Sequence, residues 1–109
     1  MNAGSNERRA ARRVVFHTEV SILGSTAPPL RVWSHDLSPG GIFLDTQQPF
    51  PPGLILQLRF TVGETEIRTM AEVVYCRPGR GIGLKFLNLN GPQAAAIRAV
   101  TESEDEREQ

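Results

Sequence analysis

Residues 54–61 read Leu54-Ile55-Leu56-Gln57-Leu58-Arg59-Phe60-Thr61. Leu54, Leu56, Leu58 and Phe60 fall on one side of an extended chain, and Gln57, Arg59 and Thr61 on the other. A period of two marks a strand that buries one face and wets the other. Working downstream, Val62-Gly63-Glu64 is a turn signal, Glu66–Cys76 is a long strand, and Arg77-Pro78-Gly79-Arg80-Gly81 turns the chain back. Ile82–Leu87 is the last strand, with Ile82, Leu84 and Phe86 on one face. Working upstream, Pro49–Gly53 holds three prolines and a glycine and reads as a loop, preceded by a strand over Ile42–Thr46. Before it, Asp36–Gly41 has turn chemistry, Leu30–His35 is a short strand, and Val14–Leu23 is a first strand closed by Gly24-Ser25 and Pro28-Pro29.

After Asn90 the period changes. Pro92 suits a first helical turn, and Ala94, Ala95, Ala96, Ile97 and Val100 favour helix. The spacing predicts one short helix over Pro92–Thr101. Six or seven short, closely spaced strands followed by one helix point to an antiparallel barrel. The domain is expected over residues 7–101, with a flexible N-terminus at 1–6 and an acidic, disordered tail at 102–109.

The totals limit what this barrel can be. A chain of 109 residues holds one domain. The net charge of +0 hides an asymmetry: residues 7–13 carry four arginines against one glutamate, and residues 102–109 carry five acids against one arginine. A basic head on a neutral body calls for an anionic partner. Lys85 is the only lysine among 12 basic residues, and arginine has the planar fork that fits phosphate and guanine edges. Cys76 is the only cysteine, so no internal disulfide forms. No signal peptide and no apolar run of membrane-spanning length is legible, so the expectation is a soluble cytoplasmic protein.

Two short motifs carry chemistry. Arg8, Arg9, Arg12 and Arg13 form two overlapping R-x-x-x-R pairs. Arginine donates charged hydrogen bonds to phosphate and can fork onto guanine O6 and N7. Taken alone, the arm also fits a solvated segment or a nonspecific nucleic-acid contact. The second motif is Asp36-Leu37-Ser38-Pro39-Gly40-Gly41. Asp36 can accept from guanine N–H groups or cap backbone donors, Ser38 can donate and accept, and Gly40 and Gly41 permit positive φ and close approach to a ligand. Taken alone, it also fits an ordinary Asx-type turn.

In this order, followed by Gly81-Ile82-Gly83-Leu84-Lys85-Phe86, the motifs resemble the PilZ domain family from about Glu7 to Val100. Ala71-Glu72-Val73-Val74-Tyr75 looks like that family's penultimate strand. The resemblance implies a six-stranded antiparallel β-barrel with one short C-terminal α-helix. It also implies binding of cyclic di-GMP, a bacterial second messenger. It assigns Arg9 and Arg13 to the R-x-x-x-R pair, and Asp36, Ser38 and Gly41 to the turn, with Gly40 beside them. Arg8, just before the pair, is the position that the family associates with two stacked ligand molecules per chain. Tyr75 is a weaker candidate for stacking on guanine, and Arg12 is extra. The output implied is an arm that orders on the ligand and is read by a downstream protein.

Other readings stay in play: a protein-interaction module on a PilZ-like barrel, or a nucleic-acid-binding barrel driven by the arm, the latter disfavoured. His17 and His35 lie on different predicted strands with no metal-ligand spacing and read as structural or surface residues. Trp33 reads as core or rim packing. Arg77 and Arg80 read as a solvated hairpin tip, with a secondary phosphate contact as the alternative. No serine sits in a nucleophile elbow, Cys76 has no histidine partner, and the acids form no dyad, so no enzyme, cofactor or metal is expected. No G-x-x-x-x-G-K loop is present.

Overall fold

A computed structural model describes residues 13–24 and 28–107. The expectations for residues 1–6 and for Arg8, Arg9 and Arg12 lie outside the described residues. The strands are β1 (Val14–Val15), β2 (Glu19–Leu23), β3 (Leu30–Ser38), β4 (Gly41–Asp45), β5 (Ile55–Val62), β6 (Thr65–Arg77) and β7 (Gly81–Phe86), and a helix α1 spans Gly91–Arg107. The hydrogen-bonded order is β1-β3-β2-β5-β6-β7-β4, and β3 also pairs with β4. That last pairing closes β2 to β7 into a six-stranded antiparallel barrel, with β1 added beside β3. Closure leaves the six barrel strands paired on both sides.

The core follows from the alternation. Leu58, Phe60 and Val62 of β5 face inward with Ile67, Ala71 and Val73 of β6 and Ile82 and Leu84 of β7. Leu54 departs from the expected apolar face. It precedes β5 and is 39% exposed, because the backbone of Gly53 and Leu54 turns to pair with Val73 before the strand begins. The helix packs one end of the barrel through Ile97, which is fully buried, and Thr101. Asn90 caps it: its Oδ1 accepts from the Gln93 N–H at 2.8 Å, and Gln93 Oε1 accepts from the Asn90 N–H at 3.4 Å.

The helix is longer than expected. It continues past Thr101 to Arg107. No glycine or proline interrupts the sequence after Pro92, and glutamate and arginine are good helix formers. Among the described residues no helix is long and apolar enough to cross a membrane.

The expected first strand, Val14–Leu23, is broken. Phe16–Thr18 separate β1 from β2, and both strands pair with the same side of β3. Ser34, fully buried on β3, fills the break: its hydroxyl donates to the Phe16 carbonyl and accepts from the Thr18 N–H at 2.9 Å. The opposite side of β3 is irregular at the same level, where its register against β4 shifts between Ser34 and Asp36.

Candidate ligand-binding site

The irregularity in β3 builds the site. Val32 and Ser34 point inward while Arg31, Trp33 and His35 point out. A regular strand would then send residue 36 into the core. The bulge inserts one extra residue, so His35 and Asp36 both lie toward the outside and Leu37 returns to the core. Asp36 and Ser38 therefore belong to the end of a strand. Only Pro39 and Gly40 form the turn, between the paired residues Ser38 and Gly41.

The glycines of this turn act differently from expectation. Neither Gly40 nor Gly41 has positive φ. A side chain at Gly40 would meet open space, whereas a Cβ at Gly41 would lie 2.2 Å from the Leu84 carbonyl oxygen on β7. Gly41 is thus required by close packing of β4 on β7. Ser38 is buried, and its hydroxyl accepts from the Gly41 N–H at 3.1 Å and donates to the Gly41 carbonyl at 3.4 Å. It closes the turn from within.

Arg13 reaches the same place from the chain start. The pairs Val14↔Leu37 and Val15↔Asp36 carry Arg13 toward Ser38. Its Nε donates to Asp36 Oδ1, and its Nη1 donates to Ser38 Oγ at 3.4 Å. The second oxygen of Asp36 lies 3.0 Å from His35 Nδ1. Arg13 and Asp36 are both partly exposed, so this ion pair adds only about 0–1 kcal/mol to stability. Its consequence is positional, because it seats the last arginine of the arm on the turn motif. Arg13, Asp36, Ser38 and Gly41 are brought together; Arg8, Arg9 and Arg12 are not described.

Arg13 and Asp36 form one lip of an open cleft of about 410 Å³. Phe43 of β4 and Tyr75 of β6 line it, with ring centroids 6.0 Å apart. Between their strands runs β7, where Gly83 pairs with both residues. A Cβ on Gly83 would come within 2.5 Å of the Tyr75 ring, and one on Gly81 within 2.6 Å of the Phe43 ring. The alternation Gly81-Ile82-Gly83-Leu84 thus fills the core with one face and lets two rings lie flat on the other. The far lip is the β6–β7 hairpin, with Arg77, Gly79 and Arg80. The Arg77 guanidinium sits 5.3 Å from the Tyr75 ring centroid, within cation–π range. Asp45, one pair along β4, completes the lining.

Arg13, Asp36 and Tyr75 were expected here; Arg77 and Arg80 were expected mainly as a solvated hairpin tip, with a phosphate contact as the alternative; His35, read as a structural or surface residue, and Phe43 and Asp45 were not expected. The available signal was register. Glycines at 81 and 83 make room for rings on the neighbouring strands, and a hairpin drawn through residues 77–81 puts Arg77 beside Tyr75. Trp33, 58% exposed, lies outside this cleft and lines a neighbouring hollow with His17, Ser34 and Asp45. The rings of His17 and His35 approach to 6.0 Å, and no group of metal-binding side chains forms among the described residues.

Cations on two lips, one exposed and one half-buried ring, and carboxylates suit a ligand that is flat, anionic and rich in N–H donors, which describes a purine nucleotide. The model for the PilZ domain matches residues 7–103. This chain belongs to the PilZ domain family. Solved PilZ-type structures share its fold. The Bacillus subtilis inhibitor of motility (MotI/DgrA) superposes with a TM-score of 0.79 at 21% identity, covering 94% of this chain and 53% of that one. The PilZ domain of Escherichia coli YcgR, solved with c-di-GMP, gives 0.71 at 17% identity, covering 92% and 93%. The PilZ domain of CeSA from a cellulose-synthesizing bacterium gives 0.65 at 17%, covering 87% and 99%. The chain thus spans about half the length of the Bacillus protein and nearly all of the isolated PilZ domains. No curated protein matches the sequence significantly.

Proposed function

We propose that this PilZ domain is a cyclic di-GMP receptor without enzymatic activity, working in the cytoplasm. The observation that carries the reading is the seating of Arg13 on Asp36 and Ser38 at the lip of a ring-lined cleft. This contact brings the last arginine of the arm onto the turn motif. Arg9 and Arg13 grip phosphate and guanine edges, and Asp36 takes guanine N–H groups. Ser38 and Gly41 hold the turn in shape beside Gly40, and Tyr75 lies under a base. Arg8 supports a second ligand molecule, and Arg12 adds charge. The arm then closes over the nucleotide, and a downstream protein reads the covered surface.

Titration calorimetry with cyclic di-GMP is the direct test. Saturable binding is expected, reduced by about tenfold or more in Arg13→Ala and Asp36→Ala, since each loses a charged hydrogen bond. Absence of heat at high micromolar ligand would overturn the reading. One ligand per chain would remove the role given to Arg8 and leave the receptor standing. A nucleic-acid-binding barrel would instead show steep salt dependence and no preference for the cyclic dinucleotide.

A further inference from the structure

The two lips of the cleft differ in how far their charges are already satisfied. On the Arg13 side both oxygens of Asp36 are engaged, one by Arg13 and the other by His35. On the hairpin side, no hydrogen bond or ion pair among the described residues engages the side chains of Asp45, Arg77 or Arg80. Arg77 rests on the Tyr75 ring alone. These three residues are nonetheless drawn together by strand register, since Gly81 pairs with Asp45 on one side and with Arg77 on the other. Gly81 adds no side chain of its own, and the edge of the Phe43 ring lies over it, so the carboxylate and the guanidinium flank an aromatic surface. Arg80 joins them because the hairpin turn closes through its N–H onto the Arg77 carbonyl at 2.9 Å.

The two oxygens of the Asp45 carboxylate match the N1–H and N2–H donors on the edge of a guanine. The guanidiniums of Arg77 and Arg80 match a phosphate, which accepts from planar forks. We infer that Asp45, Arg77 and Arg80 form a second guanylate subsite, distinct from the arm and the turn, in which Asp45 takes the base edge and the two arginines take the phosphate. This deepens the receptor reading and rests on it. Asp45 lies two residues along β4 from Phe43, the partner of Asp36, which is about 7 Å of strand. The two carboxylates therefore address different bases. The subsite takes either the second half of one cyclic dinucleotide or a guanylate of a second molecule.

The test is calorimetry on three proteins: the full chain, an Arg77→Ala/Arg80→Ala double variant and Asp45→Ala. All three side chains are exposed, and denaturant melts check that the variants keep the stability of the parent. Cyclic di-GMP should bind the double variant at least about tenfold more weakly, or with one fewer molecule per chain. Weakened binding at unchanged stoichiometry means that the subsite takes the second half of one dinucleotide; a lost molecule means a second ligand. Asp45→Ala should narrow the preference for cyclic di-GMP over cyclic di-AMP by a comparable factor, because adenine lacks the paired N–H donors. Variants that match the parent within twofold in affinity, stoichiometry and base preference overturn the subsite. If the parent binds and Arg13→Ala does not, the receptor reading survives that result. If the parent itself fails to bind, both readings fall.

Discussion

Three glycines within reach of the site have different surroundings, and that difference makes them separable by experiment. A methyl group at Gly40 enters open space, at Gly41 it strikes the Leu84 carbonyl, and at Gly83 it strikes the movable ring of Tyr75. Backbone in a closed barrel cannot retreat without opening a neighbouring strand pair, whereas a ring can swing toward solvent. Gly41→Ala should therefore cost about 3 kcal/mol in urea denaturation, while Gly40→Ala should stay within about 0.5 kcal/mol of the parent. Gly83→Ala should fall between them in stability. It should nevertheless weaken cyclic di-GMP binding more than Gly40→Ala, because the displaced ring lines the cleft. Equal stability losses at Gly40 and Gly41 would contradict the packing argument. The same residues mark where the sequence was legible. Asp36, Ser38 and Gly41 were recognisable as a group from their spacing, but the reason for the glycine was not. A sequence motif records which residue types are present, whereas the contact that demands Gly41 comes from β7, more than forty residues away in the chain.

At the scale of elements, the site depends on two irregularities held together by one buried hydroxyl. The break between β1 and β2 and the bulge in β3 sit on opposite sides of Ser34, whose Oγ serves the backbone groups that the break leaves over. Removing it strands the Thr18 N–H and the Phe16 carbonyl in a partly buried place. Ser34→Ala should cost about 1–3 kcal/mol of stability by chemical denaturation. It should also weaken ligand binding although Ser34 points into the core, because the bulge that turns Asp36 outward loses its support. Unchanged stability and affinity would remove Ser34 from this role. Regular elements were easy to foresee: the alternation over residues 54–61 predicted β5, and the alanine-rich stretch after Asn90 predicted α1. Irregular ones were not. Asp, Ser, Pro and Gly at 36–41 have turn propensities, so the sequence placed a turn where β3 in fact continues to Ser38. Tertiary pairing on both sides of β3 overrides the local preference. Likewise Val14–Leu23 carries unbroken β propensity, and nothing in it announces the gap at Phe16–Thr18.

For the whole molecule, strand number and class were legible from periodicity, but the order β1-β3-β2-β5-β6-β7-β4 was not, since period-two patterns do not state which strand meets which. That order decides the site, because it lays β3, β4, β7 and β6 side by side and so spreads Asp36, Phe43, Gly83 and Tyr75 across one outer surface. A ligand held there bridges strands from both halves of the chain. Binding should then stabilise the barrel as a unit rather than one hairpin. At a ligand concentration about 100-fold above Kd, linkage adds about 2.7 kcal/mol to unfolding. For a domain of this size each kcal/mol moves Tm by several degrees, so a rise on the order of 10 °C is expected with cyclic di-GMP in a thermal melt. The melt should remain a single transition, and the denaturant slope should stay unchanged, because the surface exposed on unfolding is nearly the same. Arg13→Ala should remove about half of the rise or more at the same ligand concentration, since a tenfold weaker Kd leaves about 1.4 kcal/mol of linkage, while shifting the ligand-free Tm little, because the ion pair it breaks is partly exposed. A large drop in the ligand-free Tm would instead make Arg13 a structural clasp of β1 against β3. The arm would then act through the fold and not through contact with the nucleotide.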